Sequence, residues 1–166
     1  MNLVVFGGSR ELDNSRVRLE INKLASRIDT NICVIYGGGH TGLIANIPKI
    51  HHERGGKVIK VNSHLFTCDE NDYEFHERQR KLIEMGDMYL VLPGGIGTMS
   101  ELFDVLTRND VMMLGKSIIV FNYEGFFDCV WQQLIHMDNM NLLKGWKHLN
   151  LKLLDNIDDI VNAINI

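Results

Sequence analysis

The sequence predicts an α/β fold: one doubly wound parallel β-sheet flanked by helices, in a single domain covering residues 1–166. Three observations predict it. Apolar runs of strand length alternate with segments whose apolar residues recur at helical spacing. The connections between them are short, as expected of a parallel sheet covered on both faces. Glycine-rich turns follow the first, second and fourth apolar runs, where a doubly wound sheet gathers its ligand site. A chain of 166 residues, 45% hydrophobic and 23% charged, is long enough to bury a proper core.

Leu3 to Phe6 reads as a buried strand, followed by Gly7-Gly8-Ser9-Arg10. Val17, Ile21, Leu24 and Ile28 then give an amphipathic helix. Ile32 to Tyr36 is a second strand, ending in Gly37-Gly38-Gly39-His40-Thr41-Gly42. Leu43, Ile44, Ile47 and Ile50 form a helical stripe, in which Pro48 predicts a kink or a shortened start. Val58 to Val61 is a third strand, Asn62 to Tyr73 a polar loop and Glu74 to Met85 a helix. Met88 to Leu92 is the fourth strand. The helix after it carries Leu102, Phe103 and Leu106 at helical spacing, with Glu101 in its first or second turn. Ser117 to Phe121 is the fifth strand, and Phe126, Phe127, Val130, Trp131, Leu134 and Ile135 make an apolar helix face. Leu149 to Leu154 gives a short last strand, and Ile157, Ile160, Val161 and Ile164 a closing helix.

Composition narrows the function. The net charge of -4 argues against a nucleic-acid partner, which calls for a basic face. No apolar run reaches membrane-spanning length, and Leu3-Val4-Val5-Phe6 reads as a strand rather than a signal peptide. Cys33, Cys68 and Cys129 are odd in number, far apart and without a CxxC, which fits reduced thiols in a cytoplasmic protein. Cys33 lies in an apolar run and is expected to pack there. His51 and His52 face different sides of a helix, with no carboxylate or Cys at ligand spacing, so no metal is expected. The turn after the first strand is not GxGxxG, and no Walker lysine is present, which counts against hydride transfer and nucleoside triphosphate hydrolysis. Nothing marks a Schiff-base lysine, and no cofactor is expected. Met88, Met112 and Met113 are expected in the core or along an apolar cleft.

The chemistry concentrates in Pro93-Gly94-Gly95-Ile96-Gly97-Thr98-Met99-Ser100-Glu101. A strand, a glycine-rich turn and a helix start together make an anion site. Glycines admit close approach, unpaired N–H groups point outward, and the helix dipole favours negative charge. Thr98 adds a hydroxyl, and Glu101 sets a carboxylate beside a phosphate pocket. Gly8 and Ser9 of the first turn, and Gly38 and Gly39 of the second, converge on the same nucleotide-sized ligand. In His76-Glu77-Arg78-Gln79-Arg80-Lys81, one arginine is placed to reach that crevice and the rest form a solvated face. Arg suits a planar, bidentate hold on phosphate or carboxylate.

Residues 93–101 resemble the PGGxGTxxE signature of the LOG (Lonely Guy) family of cytokinin riboside 5′-monophosphate phosphoribohydrolases, often mislabelled as lysine decarboxylases. His76-Glu77-Arg78 resembles the family's HERK segment, and Tyr36-Gly37-Gly38-Gly39 with Gly42-Leu43 its YGGG element. Val5 to Ser9 is similar to its first turn, and Asn122-Tyr123-Glu124-Gly125-Phe126-Phe127 to its N-x-x-G-[YF]-[YF] segment. The resemblance implies a Rossmann-like fold and hydrolysis of the N-glycosidic bond of an adenosine 5′-monophosphate, N6-modified or plain. Free base and ribose 5-phosphate would be released. It implies Arg78 and Glu101 as the catalytic pair, Gly94, Gly95, Gly97 and Thr98 as the 5′-phosphate anchor, and a homodimer. The Phe126 to Ile135 helix could serve that contact or the core. Three departures stand out: Gln79 replaces the family's lysine, the loop from Asn62 to Tyr73 is short, and Thr107 is followed by Arg108 rather than an aromatic. A nucleotide sensor without catalysis is the competing reading.

Overall fold

The computed structural model describes residues 1–10, 15–62 and 74–165. The elements run β1 (Asn2–Phe6), α1 (Ser15–Ala25), β2 (Cys33–Tyr36), α2 (Leu43–Glu53), β3 (Val58–Lys60) and α3 (Phe75–Met85). They continue with β4 (Met88–Val91), α4 (Ile96–Met112), β5 (Ser117–Phe121), α5 (Asp128–Asn139), α6 (Trp146–Leu149), β6 (Leu151–Leu154) and α7 (Ile157–Ile164), and a 3-10 turn covers Tyr123–Gly125. The six strands form one parallel sheet in the order β3-β2-β1-β4-β5-β6. This is the doubly wound α/β sheet expected from the sequence, and its order reverses between β1 and β4.

Strand alternation builds two cores, one per face. Leu3, Val5, Val34, Leu90, Ile119 and Phe121 face α1, α2 and α7. Val4, Phe6, Ile35, Tyr89, Val91 and Val120 face α3, α4 and α5. Cys33 is buried on the second side, as its apolar run predicts.

The structure corrects several details. The α2 helix continues through Pro48, which is buried, and its start is not shortened. Packing of α2 on α1 and the sheet outweighs the lost backbone bond. Ile28 lies beyond the end of α1, where Arg54 donates from Nη1 to the Ala25 and Ile28 carbonyls at 3.1 and 2.8 Å. Leu149 belongs to the short helix α6, so the last strand begins at Leu151. Met88 is buried, but Met112 and Met113 are 60% and 59% exposed, with Met113 left-handed at the end of α4. The expected loop from Asn62 to Tyr73 lies outside the described residues, apart from Asn62 itself. Among those residues, no helix is long and apolar enough to cross a membrane.

Candidate functional site

The carboxyl ends of β1, β2 and β4 open into one cavity of about 860 Å³. Gly8, Ser9, Gly38, Gly39, Gly94, Gly95, Gly97, Thr98, Arg78 and Glu101 all line it. All ten candidates from the sequence therefore meet in one place. The turns are tied to one another. Gly8 donates to the Pro93 carbonyl at 3.0 Å, Ile44 donates to the Gly8 carbonyl at 3.2 Å, and the Thr41 hydroxyl donates to the Ser9 carbonyl at 2.6 Å.

The glycines of this cavity fall into two kinds. A Cβ on Gly94 would strike the Thr98 hydroxyl and come within 2.7 Å of the Gly8 nitrogen, and one on Gly8 would press on Pro93 and Gly94. The chain's own packing requires these two. A Cβ on Gly95 or Gly97 would meet nothing within 4 Å. Gly95 caps α4, and the first bond inside the helix runs from Met99 N to Gly95 O at 3.1 Å. The preceding amides have no acceptor within the helix and face an open approach. Thr98, 3% exposed, completes this helix start.

Arg78 on α3 is held by the sheet. Its Nε donates to the Val61 carbonyl at 3.1 Å and its Nη2 to the Gly37 carbonyl at 3.0 Å. A Cβ at position 37 would collide with the guanidinium, so Gly37 makes the seat that the arginine occupies. Burial lowers the Arg78 pKa, and the Glu101 charge opposes that shift. Glu101, in the second turn of α4, is pushed by burial from 4.5 up to about 7, against the pull of Arg78. The two are close enough for each to feel the other's charge. A carboxyl that titrates near neutrality beside a fixed cation is equipped for proton transfer or for stabilising developing positive charge. Arg80, by contrast, is exposed and pairs with Glu84 on the outer face of α3.

Sequence reasoning left out several lining residues. Arg10, His40, Asn62, Ser100 and Phe126 also border the cavity, as does Ile96, which is 86% exposed. Asn62, Arg10 and His40 each follow a strand end by a few residues, and that position was the available signal. Phe126 is presented by a tight turn after β5. Asn122 donates to Asp128 and accepts from the Phe127 amide, both at 2.8 Å, while Glu124 and Gly125 take positive φ. Phe126 is half exposed and Leu134 is the buried residue of α5, so that helix is only partly covered by its own chain. Gln79 lines the cavity and points its amide at Ser100 Oγ and Asp104 Oδ2, each at 3.4 Å. Among the described residues, no three His, Cys, Asp or Glu side chains are grouped to hold a metal ion.

Residues 36–164 match the model of the family described as "Possible lysine decarboxylase". A protein named cytokinin riboside 5′-monophosphate phosphoribohydrolase LOG2, from Arabidopsis thaliana, is 28% identical over 137 residues, covering 76% of this chain and 64% of that protein. A cytokinin riboside 5′-monophosphate phosphoribohydrolase from Rhodococcoides fascians is 28% identical over 105 residues, covering 57% of this chain and 53% of that protein. The match thus spans between half and two thirds of each of these relatives. Among solved structures, the molybdenum cofactor binding protein from Rippkaea orientalis superposes with a TM-score of 0.68 at 13% identity, over 98% of this chain and 94% of that one. That likeness speaks for the fold alone.

Proposed function

This chain belongs to the LOG family, whose model is described as "Possible lysine decarboxylase", and from that premise we propose that it is a nucleoside 5′-monophosphate phosphoribohydrolase. In this reading it cleaves the N-glycosidic bond of an adenosine 5′-monophosphate, with or without an N6 substituent, to free base and ribose 5-phosphate. The observation that carries the reading is that Arg78 and Glu101 line one cavity and feel each other's charge, with the open start of α4 beside them. Among the described lining residues there is no lysine to carry a Schiff base, which does not favour lysine decarboxylation.

The 5′-phosphate rests on the amides of the α4 start, with the Thr98 hydroxyl beside them. Its binding energy holds the ribose where Glu101 can act. The bond between C1′ and the base nitrogen breaks with its electrons leaving on the base, and the oxygen of water bonds to C1′. Glu101, ionised, steadies the positive charge building on the ribose and accepts a proton from that water, while the base takes up a proton from solvent. Among the described lining residues Glu101 is the only carboxylate, so one carboxyl serves without the paired partner of most glycosidases. Arg78, fixed on two carbonyls, offsets negative charge without having to reorganise. Ile96 and Phe126 offer apolar surface to a purine.

The exposed apolar side chains Val111, Met112, Met113, Leu114, Met140 and Leu142 support a homodimer. The proposed setting is cytoplasmic, with no nucleic acid, membrane, metal or cofactor involved. The test is chromatography of free base released from AMP, from isopentenyladenosine monophosphate and from the matching nucleosides. Release from a monophosphate but not from its nucleoside is expected. Saturable binding of the monophosphates without release would overturn the enzyme in favour of a nucleotide sensor.

A further inference from the structure

On the side of the cavity away from α4, at the ends of β2 and β3, the rim carries positive charge that the reaction above does not use. Gly38 has φ of 88°, and a Cβ there would come within 2.7 Å of both Lys60 Cε and Asn62 Oδ1. The missing side chain lets Lys60 lie flat across the loop, so that its Nζ reaches His40 Nε2 at 3.3 Å. An ammonium only donates, so Nε2 is the acceptor and the ring's proton is on Nδ1. Among the described residues Lys60 has no carboxylate partner. Arg10 joins this rim, because its backbone is packed against Gly42, next to Thr41. In a chain of net charge -4, the described lining residues of this cavity hold Arg10 and Arg78 against the single carboxylate Glu101, with the His40 ring beside them.

We propose that Lys60, His40 and Arg10 form a second anion subsite, and that the ligand is a nucleotide bearing another anionic group, carboxylate or phosphate, on its far side from the 5′-phosphate. The spacing fits. The α4 start follows β4 and the His40 turn follows β2, two strands away in the order β2-β1-β4, or about 10 Å at the usual strand separation. Adjacent phosphates of a diphosphate cannot bridge that gap, whereas a nucleoside can. A cavity of about 860 Å³ leaves room for the additional group. The proposal deepens the nucleotide reading and rests on it for the first anion.

Calorimetry with three ligands tests it: AMP, AMP carrying a 1,2-dicarboxyethyl group on N6, and adenosine 2′,5′-bisphosphate. The first modified ligand places carboxylates on the base and the second places a phosphate on the ribose, so the pair also identifies the source of the charge. At least one should bind about tenfold more tightly than AMP, and that ratio should fall to about one in Lys60→Met. Equal binding of all three ligands by the wild type, or a ratio that survives Lys60→Met, overturns the proposal. Inorganic pyrophosphate reads the rim without a nucleoside. It should move the His40 ring resonances in the wild type and leave them in place in Lys60→Met, and unmoved resonances in the wild type overturn the subsite. Should AMP itself fail to bind while pyrophosphate moves His40, the nucleotide reading falls and the rim subsite stands.

Discussion

Gly94 and Gly97 are three residues apart in the same turn, yet they answer to different things. A Cβ on Gly94 would run into the chain itself, into Thr98 and the Gly8 backbone, whereas one on Gly97 would meet nothing within 4 Å. A glycine that packing demands explains itself. One that packing leaves free, outside the left-handed region, is in the proposed reading kept open for the bound nucleotide. Glu101 stands with Gly97: burial holds its carboxyl at a cost to the fold, and in the proposed reading its use lies with a bound nucleotide. On that proposal the cavity combines parts that shape the protein with parts that serve a bound nucleotide.

The sharpest break between the two classes is in turnover. Glu101→Gln should leave the fold intact and lower base release from AMP by about 10³-fold, within the range for a lost general base. Unchanged turnover in that variant removes the mechanism. For the intact enzyme, kcat/KM for AMP should climb with pH up to about 7 and then level, as the Glu101 carboxyl ionises. A profile flat from pH 5 to 8 would show that this group does not set the rate. Gly94→Ala should act oppositely to Glu101→Gln, lowering stability by about 2–4 kcal/mol in urea unfolding through overpacking of the Gly8 contact. An unchanged midpoint would put Gly94 among the parts that serve the nucleotide.

Stability offers a finer test. The Glu101 pKa is raised in the folded state, so the native protein holds its proton over a window where the unfolded chain has lost it. The Glu101 contribution to stability should be full below about 4.5, decline as pH rises to about 7 and level beyond, a loss on the order of 3 kcal/mol. Glu101→Gln should lack that slope and be the more stable protein at pH 8. The smallest effect on the fold belongs to Gly97→Ala, which should raise stability by up to about 1 kcal/mol, since the position is helical and unobstructed. The same variant should weaken AMP binding, because a methyl group would then stand in the phosphate's approach. Intact AMP affinity in Gly97→Ala would dissolve the distinction.

Much of this arrangement was legible in the sequence because it is local. The glycine motif, the helix behind it and the position of Glu101 in the second turn follow from spacing within one segment. The sheet was legible too, since each strand is a short apolar run between turns. What could not be read depends on distant partners. The seat of Arg78 is made by carbonyls of Gly37 and Val61, which only the finished sheet brings together. The contact of Lys60 with His40 over Gly38 exists because Lys60 comes from the neighbouring strand. Pro48 misled because a local rule was overridden by burial, and Met112 and Met113 because apolar character does not say which side chains the chain itself will cover.

β1 lies inside the sheet, but its partner β4 follows 85 residues later in the chain, in the register Leu3 with Met88. Pairings of that span close slowly, because a long stretch of chain must give up its freedom before the contacts repay it. During synthesis one edge of β1 therefore stays unpaired until residue 91 has emerged, and the crevice between the two strands does not exist before then. The order of assembly gives a clock: ligand recognition should appear late in refolding, after helices and the β1–β2 pair have formed, so a bound nucleotide reports completion of the fold rather than guiding its start.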